Sequence, residues 1–324
     1  MKRTSAVSGW STMNIGDGSG VLSPQALERL VRPASPPLRP PPLGDRAAVA
    51  RWRTAVHATW LDGDPPPAAR GHRADVIGDV PVLRTSARVD GPLVVYCHGG
   101  GYALGAAAVA VPITERLADG AEIVSVDYRL APEHPCPAAI DDVAAVVDAL
   151  VDDDWERRPF AIVGDSAGAN LALAVTRRRQ AEGRQRPVAL ALLSPHLDLR
   201  PEARTDGAGR RGEDVDDEAA GWLRDAYCGS RLPTDPEVSP VLGDLGGLPP
   251  TLVQVGTADS ALDQAVRFAR RARSAGVEVT LDVWDGLWHA WHYHRHLPEA
   301  DRALAEVAAF IAPVATSRPR AAPS

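Results

Sequence analysis

One pentapeptide constrains the fold of this chain more than any other feature: Gly-Asp-Ser-Ala-Gly at positions 164–168, directly after the apolar run at 160–163. In a Gly-x-Ser-x-Gly sequence the serine lies on a sharp turn between a strand and a helix, and the strained backbone leaves little room for side chains at the two glycines. The turn pushes the serine hydroxyl outward. We therefore expect a strand, a tight turn and a helix that present Ser166 as a nucleophile.

A second glycine-rich stretch, His-Gly-Gly-Gly at positions 98–101, follows the apolar run at 93–97. Glycines let backbone N–H groups come close to a substrate oxygen, which is what an oxyanion hole requires. Either stretch alone is a weak signal. Together, a nucleophile turn and a glycine loop that each follow a buried-strand candidate predict a serine hydrolase.

Chain order supplies candidates for the rest of a Ser-His-Asp triad. In an α/β-hydrolase the serine is followed by the acid and then by the histidine, and here Ser166 is followed by Asp259 and His289. Each comes just after an apolar run. The histidine is expected to take the serine proton, and the aspartate to hold the imidazole in the right tautomer. Asp263 competes for the acid position, although a carboxylate in the first turn of a helix also has a structural role.

The chain resembles a known family, the bacterial hormone-sensitive-lipase-like esterases, which carry both glycine-rich sequences. Between them, Tyr-Arg-Leu-Ala-Pro-Glu-His-Pro at 128–135, leading into Pro-Ala-Ala-Ile-Asp-Asp at 137–142, is similar to a further signature of that family. The resemblance is strong from Leu93 to Pro298 and weak before it. One departure is Asp259-Ser260-Ala261, where members commonly have Asp-Pro-Leu.

The resemblance implies an α/β-hydrolase fold: a mostly parallel central sheet flanked by helices, with a helical cap over the active site. It implies hydrolysis of a carboxylic ester with a short acyl or acetyl group, through an acyl-Ser166 intermediate and without cofactor or metal. It also implies that the N–H groups of Gly99, Gly100 and Ala167 meet the oxyanion. His98 is expected to orient the glycine loop.

Apolar runs alternate with helical segments from Leu93 onward. The strand candidates are the runs at 93–97, 122–126, 160–163, 188–193, 251–255 and 277–284. Runs that are apolar on both faces are typical of parallel strands buried between two helix layers. Residues 65–91 leave room for only two short strands. The pattern predicts an α/β domain, but it does not define the strands at the edge of the sheet.

We divide the chain into a disordered segment at 1–20, cap helices at 21–70, an α/β-hydrolase catalytic domain at 71–316 and a flexible tail at 317–324. The catalytic domain carries a cap insertion at about 198–232. A cap helix is indicated by four apolar residues at helical spacing: Val49, Trp52, Val56 and Trp60. Tyr102, after the glycine loop, and Trp222, in the insertion, are expected to line the substrate pocket.

Composition excludes several classes of partner. The net charge of −7 and the scattered arginines argue against nucleic acid, and no apolar run is long enough to span a membrane. The first 20 residues lack an apolar run of signal-peptide length, and Cys97, Cys136 and Cys228 fit reduced thiols, so a cytoplasmic location is expected. The expected partner is a small-molecule ester, and the sequence does not decide whether the chain forms a homodimer.

Three alternatives remain at this point. His292, His294 and His296 have the spacing of a metal-binding tract, although no cysteines or acidic cluster accompany them, and exposed histidines are the simpler interpretation. The same site also suits a biosynthetic enzyme that deacetylates, eliminates or cyclises an intermediate. A ligand-binding receptor on a hydrolase fold is a third class, which the presence of His289 disfavours.

Overall fold

The computed structural model describes residues 13–15, 22–31, 39–60, 71–85, 91–118, 120–151, 159–203 and 216–316. Within these ranges the strands are β1 (Met13–Ile15), β2 (His72–Ile77), β3 (Val80–Thr85), β4 (Leu93–Cys97), β5 (Glu122–Val126), β6 (Phe160–Asp165), β7 (Ala189–Leu193), β8 (Thr251–Gly256) and β9 (Val279–Trp284). The helices of the same ranges are α1 (Pro24–Val31), α2 (Arg46–Trp60), α3 (Val111–Leu117), α4 (Ala138–Val151), α5 (Ala167–Ala181), α6 (Asp217–Cys228), α7 (Leu262–Ser274) and α8 (Pro298–Ile311). None of these helices combines the length and the apolar character needed to cross a membrane.

The described strands form one sheet in the order β1-β9-β8-β7-β6-β4-β5-β3-β2. β2 and β3 form an antiparallel hairpin, and β3 pairs antiparallel with β5, whereas all other neighbouring pairs are parallel. This hairpin forms the edge of the sheet whose strands the sequence pattern does not define. The predicted α/β class, with a mostly parallel sheet, is confirmed.

Helices cover both faces of the sheet, which explains why its central strands are apolar throughout. On β4, Val94 and Tyr96 point into a cluster with α3 and α8, while Val95 and Cys97 point into the larger cluster with α4, α5 and α7. All five residues of β4 are buried. Successive side chains of a strand face opposite sides, so a strand between two helix layers needs apolar residues at every position.

The carboxyl ends of the central strands bring the distant motifs together. Cys97, the last residue of β4, pairs with Gly164 on β6, so the glycine loop and the Ser166 turn leave the sheet side by side. Likewise Gly256, the last residue of β8, pairs with Trp284 on β9, and the Asp259 and His289 loops follow these two ends. Parallel strands place all four loops at one edge, where α/β proteins bind their ligands.

Helices α2 and α6 lie against each other and against the glycine loop. The rings of Trp52 on α2 and Trp222 on α6 meet edge to face, with centroids 5.0 Å apart. The indole N–H of Trp222 also donates to Pro41 O at 2.6 Å, in the segment before α2. Val49 and Val56 are buried on the same face of α2 as Trp52, whereas the Trp60 side chain lies outside the described residues. The expected apolar stripe therefore packs on the protein.

The amino-terminal segment differs from the expectation of disorder at one place. Residues Met13–Ile15 form the edge strand β1, which pairs parallel with β9 so that Asn14 lies opposite Asp282. The physical reason is that β9 would otherwise leave its backbone N–H and C=O groups unpaired at the edge of the sheet. The remainder of the 1–20 segment, residues 204–215 of the insertion and the 317–324 tail lie outside the described residues.

Candidate active site

Ser166 lies on the turn between β6 and α5 in a strained backbone conformation. Its φ of 50° and ψ of −116° lie where L-residues are rarely found, as at many functional sites. The flanking glycines are required by close backbone contacts. A Cβ on Gly164 would overlap the carbonyl oxygen of Gly168, and one on Gly168 would overlap that of Cys97. The sequence motif therefore corresponds to a turn that only glycine at both positions allows.

The three predicted triad side chains form one hydrogen-bonded row. His289 Nε2 lies 2.9 Å from Ser166 Oγ, and His289 Nδ1 lies 2.9 Å from Asp259 Oδ1. The Asp259 side chain is fully buried and that of His289 is 20 % exposed. Because a carboxylate only accepts hydrogen bonds, Nδ1 carries the proton and Nε2 is left as an acceptor toward Ser166. That tautomer is the one a general base needs.

The surroundings of Asp259 favour its ionised form. Burial raises the pKa of this carboxyl, but attraction to the protonated form of His289 and hydrogen bonds from His289, the Ala261 N–H and the Ser194 hydroxyl outweigh burial and bring the pKa below its usual range. The Ala261 N–H donates to Asp259 Oδ1 at 2.8 Å. Asp263, the competing candidate, is exposed in the first turn of α7, where its carboxylate faces the positive end of the helix dipole. The structure thus places Asp259 rather than Asp263 beside His289.

The glycine loop differs from the expected oxyanion hole at one position. The N–H of Gly99 donates to Asp165 Oδ1 at 2.9 Å, so it is already used inside the protein. In contrast to the Gly99 N–H, three other N–H groups have no acceptor among the described residues: those of Gly100, Gly101 and Ala167. Gly100 and Gly101 are also partly exposed, so a bound oxygen could accept hydrogen bonds from N–H groups at this loop. The structure therefore does not support Gly99 as a donor, whereas the roles expected for Gly100 and Ala167 stay predictions.

His98 is buried and neutral, and it shapes the loop. Its Nδ1 lies 2.8 Å from Gly99 O, and its ring stacks on Tyr128 with centroids 4.1 Å apart. The Tyr128 hydroxyl donates to His98 O at 2.7 Å. Burial lowers the pKa of His98 to about 4. This ring anchors the first residues of the glycine loop, in line with the orienting role expected for it.

Asp165, which precedes Ser166, ties the serine turn to the glycine loop. Besides the Gly99 N–H, its Oδ1 accepts the Tyr96 hydroxyl at 2.6 Å. Burial raises the pKa of Asp165 to about 6, although hydrogen bonds from Tyr96, Tyr293 and Gly99 N–H and the nearby His289 act in the opposite direction. The sequence motif contains this residue, but its link to the glycine loop depends on the pairing of β4 with β6.

The Asp165→Asn variant should remove a pH-dependent loss of stability. The folded protein holds the Asp165 proton to a higher pH than the unfolded chain, so the contribution of Asp165 to wild-type stability falls as the pH rises from about 4 to about 6. The rise of the pKa from 3.8 to about 6 corresponds to about 3 kcal/mol. In urea unfolding, the stability of the variant minus that of wild type should increase by about this amount between pH 4 and pH 7. A difference that stays constant with pH would contradict the raised pKa.

Arg53 on α2, which sequence reasoning missed, connects the helix to two loops of the site. Its guanidinium donates to Ala103 O and Ala131 O, both at 2.6 Å, and forms a two-point ion pair with Glu133 at 2.6 and 2.9 Å. One helical turn later, His57 Nε2 accepts the Gly105 N–H at 2.8 Å. Arginines are frequent in this chain, so only the fold distinguishes this one.

Arg53→Gln should loosen the glycine loop. The variant loses the ion pair and the donors to two carbonyl groups, so we expect about 2 kcal/mol of lost stability and about a tenfold lower kcat/KM. Arg51→Gln is the matched control, because Arg51 lies on the exposed side of the same helix. Thermal unfolding and steady-state ester hydrolysis measure both effects. Equal results for the two variants would show that Arg53 does not hold the loop.

The expected pocket residues occupy different surroundings. Tyr102 is buried with φ 65° and stacks on Tyr227, with ring centroids 3.6 Å apart, whereas Trp222 mainly joins α6 to α2. Leu223, next to Trp222, touches the glycine loop directly: a Cβ on Gly101 would lie 2.6 Å from Leu223 Cδ1. Substrate contacts of Tyr102 and Trp222 stay predictions, and Leu223 joins them as a residue that the sequence did not single out.

The histidines after His289 separate into different environments. His292 is buried, with Nε2 3.2 Å from Gln254 Oε1, and burial lowers its pKa to about 3. His294 accepts the Trp288 indole N–H at 3.3 Å, and His296 is exposed. Across the part of the chain that the structure describes, no group of three or more His, Cys, Asp or Glu side chains has a metal-binding arrangement. His292 also corrects the expectation that these histidines are exposed.

Known proteins are similar to this chain in sequence and in fold. A protein family with the α/β-hydrolase fold matches residues 94–293. The chain is 36% identical over 229 residues to an acetyl-hydrolase of Streptomyces hygroscopicus, covering 69% of this chain and 77% of that protein. It is 37% identical over 224 residues to an esterase of Acinetobacter venetianus, covering 67% and 74% respectively.

Solved structures agree with the sequence relatives. The crystal structure of a hormone-sensitive lipase from a metagenome library superimposes with a TM-score of 0.74 at 30% sequence identity, covering 82% of this chain and 91% of that one. The family match includes the glycine loop, the Ser166 turn, Asp259 and His289. The chain therefore belongs to the α/β-hydrolase fold family and, within it, to the esterases that resemble hormone-sensitive lipase.

Proposed function

We propose that this chain hydrolyses carboxylic esters with a short acyl group by forming an acyl intermediate on Ser166. The observation that carries the proposal is the pair of 2.9 Å contacts through which His289 joins Ser166 Oγ to the buried Asp259 carboxylate. A serine is a poor nucleophile unless a base within hydrogen-bond distance takes its proton. The Nε2 of His289 lies at that distance.

Ester cleavage begins when Ser166 Oγ attacks the carbonyl carbon and passes its proton to His289 Nε2. The imidazolium that forms is stabilised by Asp259, which keeps its negative charge. The carbonyl oxygen becomes an oxyanion, and we assign its donors as the N–H groups of Gly100, Gly101 and Ala167. Loss of one such donor typically costs about 3 kcal/mol of transition-state stabilisation.

The intermediate collapses when His289 returns the proton to the leaving alcohol. The Ser166 ester that remains is then attacked by water, and His289 takes one proton from that water. With a side chain that is 20 % exposed, His289 is accessible from solvent for this second step. The cycle ends with the free acid and restores the starting protonation of both residues.

Contacts between helix α6 and the glycine loop support a short acyl group. Leu223 on α6 packs on Gly101, and Tyr102, the next residue after that glycine, stacks on Tyr227 of the same helix α6. These groups are uncharged, which suits a small neutral ester rather than a charged one. The relative in Streptomyces hygroscopicus is named an acetyl-hydrolase, which supports an acetyl ester as substrate.

A panel of p-nitrophenyl esters from acetate to decanoate tests the proposal. The value of kcat/KM should be highest for acetate to butyrate and fall for longer chains. Leu223→Ala should shift the preference toward longer chains, whereas Leu232→Ala should not, because the Leu232 side chain is exposed. A wild-type preference for decanoate would contradict the short-acyl proposal.

A second candidate keeps the same chemistry and changes the alcohol. Because the Streptomyces relative is an acetyl-hydrolase, removal of an acetyl group from a larger biosynthetic intermediate also fits the site. Comparison of p-nitrophenyl acetate with acetate esters of bulky alcohols separates the two. A higher kcat/KM for the bulky acetates would favour the biosynthetic role.

We also infer a cytoplasmic location, supported by the three free and buried thiols, Cys97, Cys136 and Cys228. Reduced cysteines are typical of that compartment. Fractionation of the native host with detection by antibody measures the location. Light scattering on the purified chain decides between a monomer and the homodimer that the sequence leaves open.

A further inference from the structure

Ser194, the residue after β7, has an unusual backbone at the centre of the site. It is fully buried, and its φ of 44° lies in the left-handed region that residues other than glycine seldom adopt. Its N–H donates to Gln254 O at 2.7 Å. Ala290, directly after His289, has a similar φ of 54°. Such strained residues cluster at functional sites, so the role of this pair needs an explanation.

The Ser194 hydroxyl connects the pair. Its Oγ accepts the Ala290 N–H at 3.0 Å, which fixes the backbone that carries His289. The hydroxyl proton then needs an acceptor of its own, because a buried donor without a partner is costly. Asp259 Oδ2 is buried and has no hydrogen-bond partner among the described residues. The Ser194 hydroxyl is also one of the groups that lower the pKa of Asp259, so it lies close to that carboxylate.

We propose that Ser194 is a positioning residue of the site: its Oγ accepts the Ala290 N–H and its hydroxyl proton is donated to Asp259 Oδ2. One side chain thus fixes both the loop of His289 and the carboxylate that orients its ring. The inference rests on the proposed function. Ser194 acts through His289 and Asp259, so its loss should slow proton transfer at Ser166 without changing how substrate binds.

Two variants of Ser194 separate the hydroxyl from the backbone. Ser194→Ala removes the hydroxyl and keeps the strained backbone, whereas Ser194→Gly removes the hydroxyl and suits a positive φ. With p-nitrophenyl acetate, both should lower kcat by about 10- to 100-fold and leave KM within roughly twofold. A fluorophosphonate probe should label Ser166 more slowly by a similar factor. Since Ser194→Gly relieves strain, it keeps the test valid if the alanine variant unfolds.

Ser125→Ala is the matched control. Ser125 is a buried serine of β5 whose Oγ has no hydrogen-bond partner among the described residues, so its replacement removes a buried hydroxyl that is not hydrogen-bonded to any residue of the triad. We expect wild-type kcat and KM for this variant. The comparison distinguishes a general effect of removing a buried hydroxyl from the specific effect at Ser194.

Several outcomes would overturn the proposal about Ser194. Wild-type kcat in Ser194→Gly would mean that only backbone strain matters, and a raised KM with unchanged kcat would place Ser194 in substrate binding. Failure of the proposed function has a different signature: the probe would not label Ser166 in the wild-type protein. Normal labelling of wild type together with an equal labelling rate in both Ser194 variants would reject the positioning role alone.

Discussion

Replacing Ser166 by alanine is expected to lower kcat for p-nitrophenyl acetate by roughly five to six orders of magnitude. The variant lacks the oxygen that His289 Nε2 contacts at 2.9 Å, so no acyl intermediate can form. Some hydrolysis above the rate in water should remain, because the N–H groups of the glycine loop still stabilise an oxyanion. Stopped-flow and steady-state assays at high protein concentration measure the residual rate.

The loss of activity is informative only if Ser166→Ala folds like the wild-type protein. Ser166 is only partly buried, and alanine fits the same turn, so the far-ultraviolet circular dichroism spectrum and the melting temperature should stay close to wild type. Ser274→Ala, at an exposed site on α7, serves as the matched control and should keep full activity. Wild-type turnover in Ser166→Ala would remove Ser166 from the reaction. Equal inactivity of the wild-type protein would instead favour a ligand-binding protein.

Asp259→Asn is expected to lower kcat by about four orders of magnitude. The amide presents N–H where the carboxylate accepted a proton, so the imidazole is driven into the other tautomer and Nε2 can no longer accept the Ser166 proton. KM should change little, since Asp259 is buried behind His289. The rate of p-nitrophenyl acetate hydrolysis in each variant measures the effect.

Asp263→Asn provides the comparison at the competing carboxylate. Its side chain is exposed at the start of α7, so the variant should lose only a few tenths to about 1 kcal/mol of stability and keep nearly all activity. Urea unfolding and the same kinetic assay measure both variants. The reverse ranking of the two variants would make Asp263 the acid of the site.

The positions of the central strands can be predicted from the sequence, because a strand that is buried on both faces forms a continuous apolar run. The runs at 93–97 and 122–126 coincide with β4 and β5, since a strand between two helix layers tolerates few polar residues. The short β1 is different. Three residues of an amino-terminal segment pair with β9 only because that edge is available, and such long-range pairing leaves no periodic pattern in the sequence.

Some residues of the candidate site can likewise be predicted from the sequence, and others cannot. Ser166, Asp259 and His289 are indicated by motif and chain order, because the chemistry demands those residue types in that order. The family resemblance implies Gly99 as an oxyanion donor, whereas its N–H is directed to Asp165 by the pairing of β4 with β6.

Arg53 and Ser194 leave no comparable signal in the sequence. Their hydrogen bonds join segments that lie about 50 to 100 residues apart. Neither residue stands in a recognisable motif, so only the folded chain brings each one to the site.

The most direct test of the account is the mass of the protein during turnover. The chain is mixed with p-nitrophenyl acetate, quenched in acid within the first turnovers and analysed as an intact protein and after proteolysis. The account predicts a mass increase equal to one acetyl group, located on the peptide that contains Ser166 and absent in Ser166→Ala. Release of p-nitrophenol with no acetylated protein at any quench time, or with the acetyl group on another residue, would contradict it.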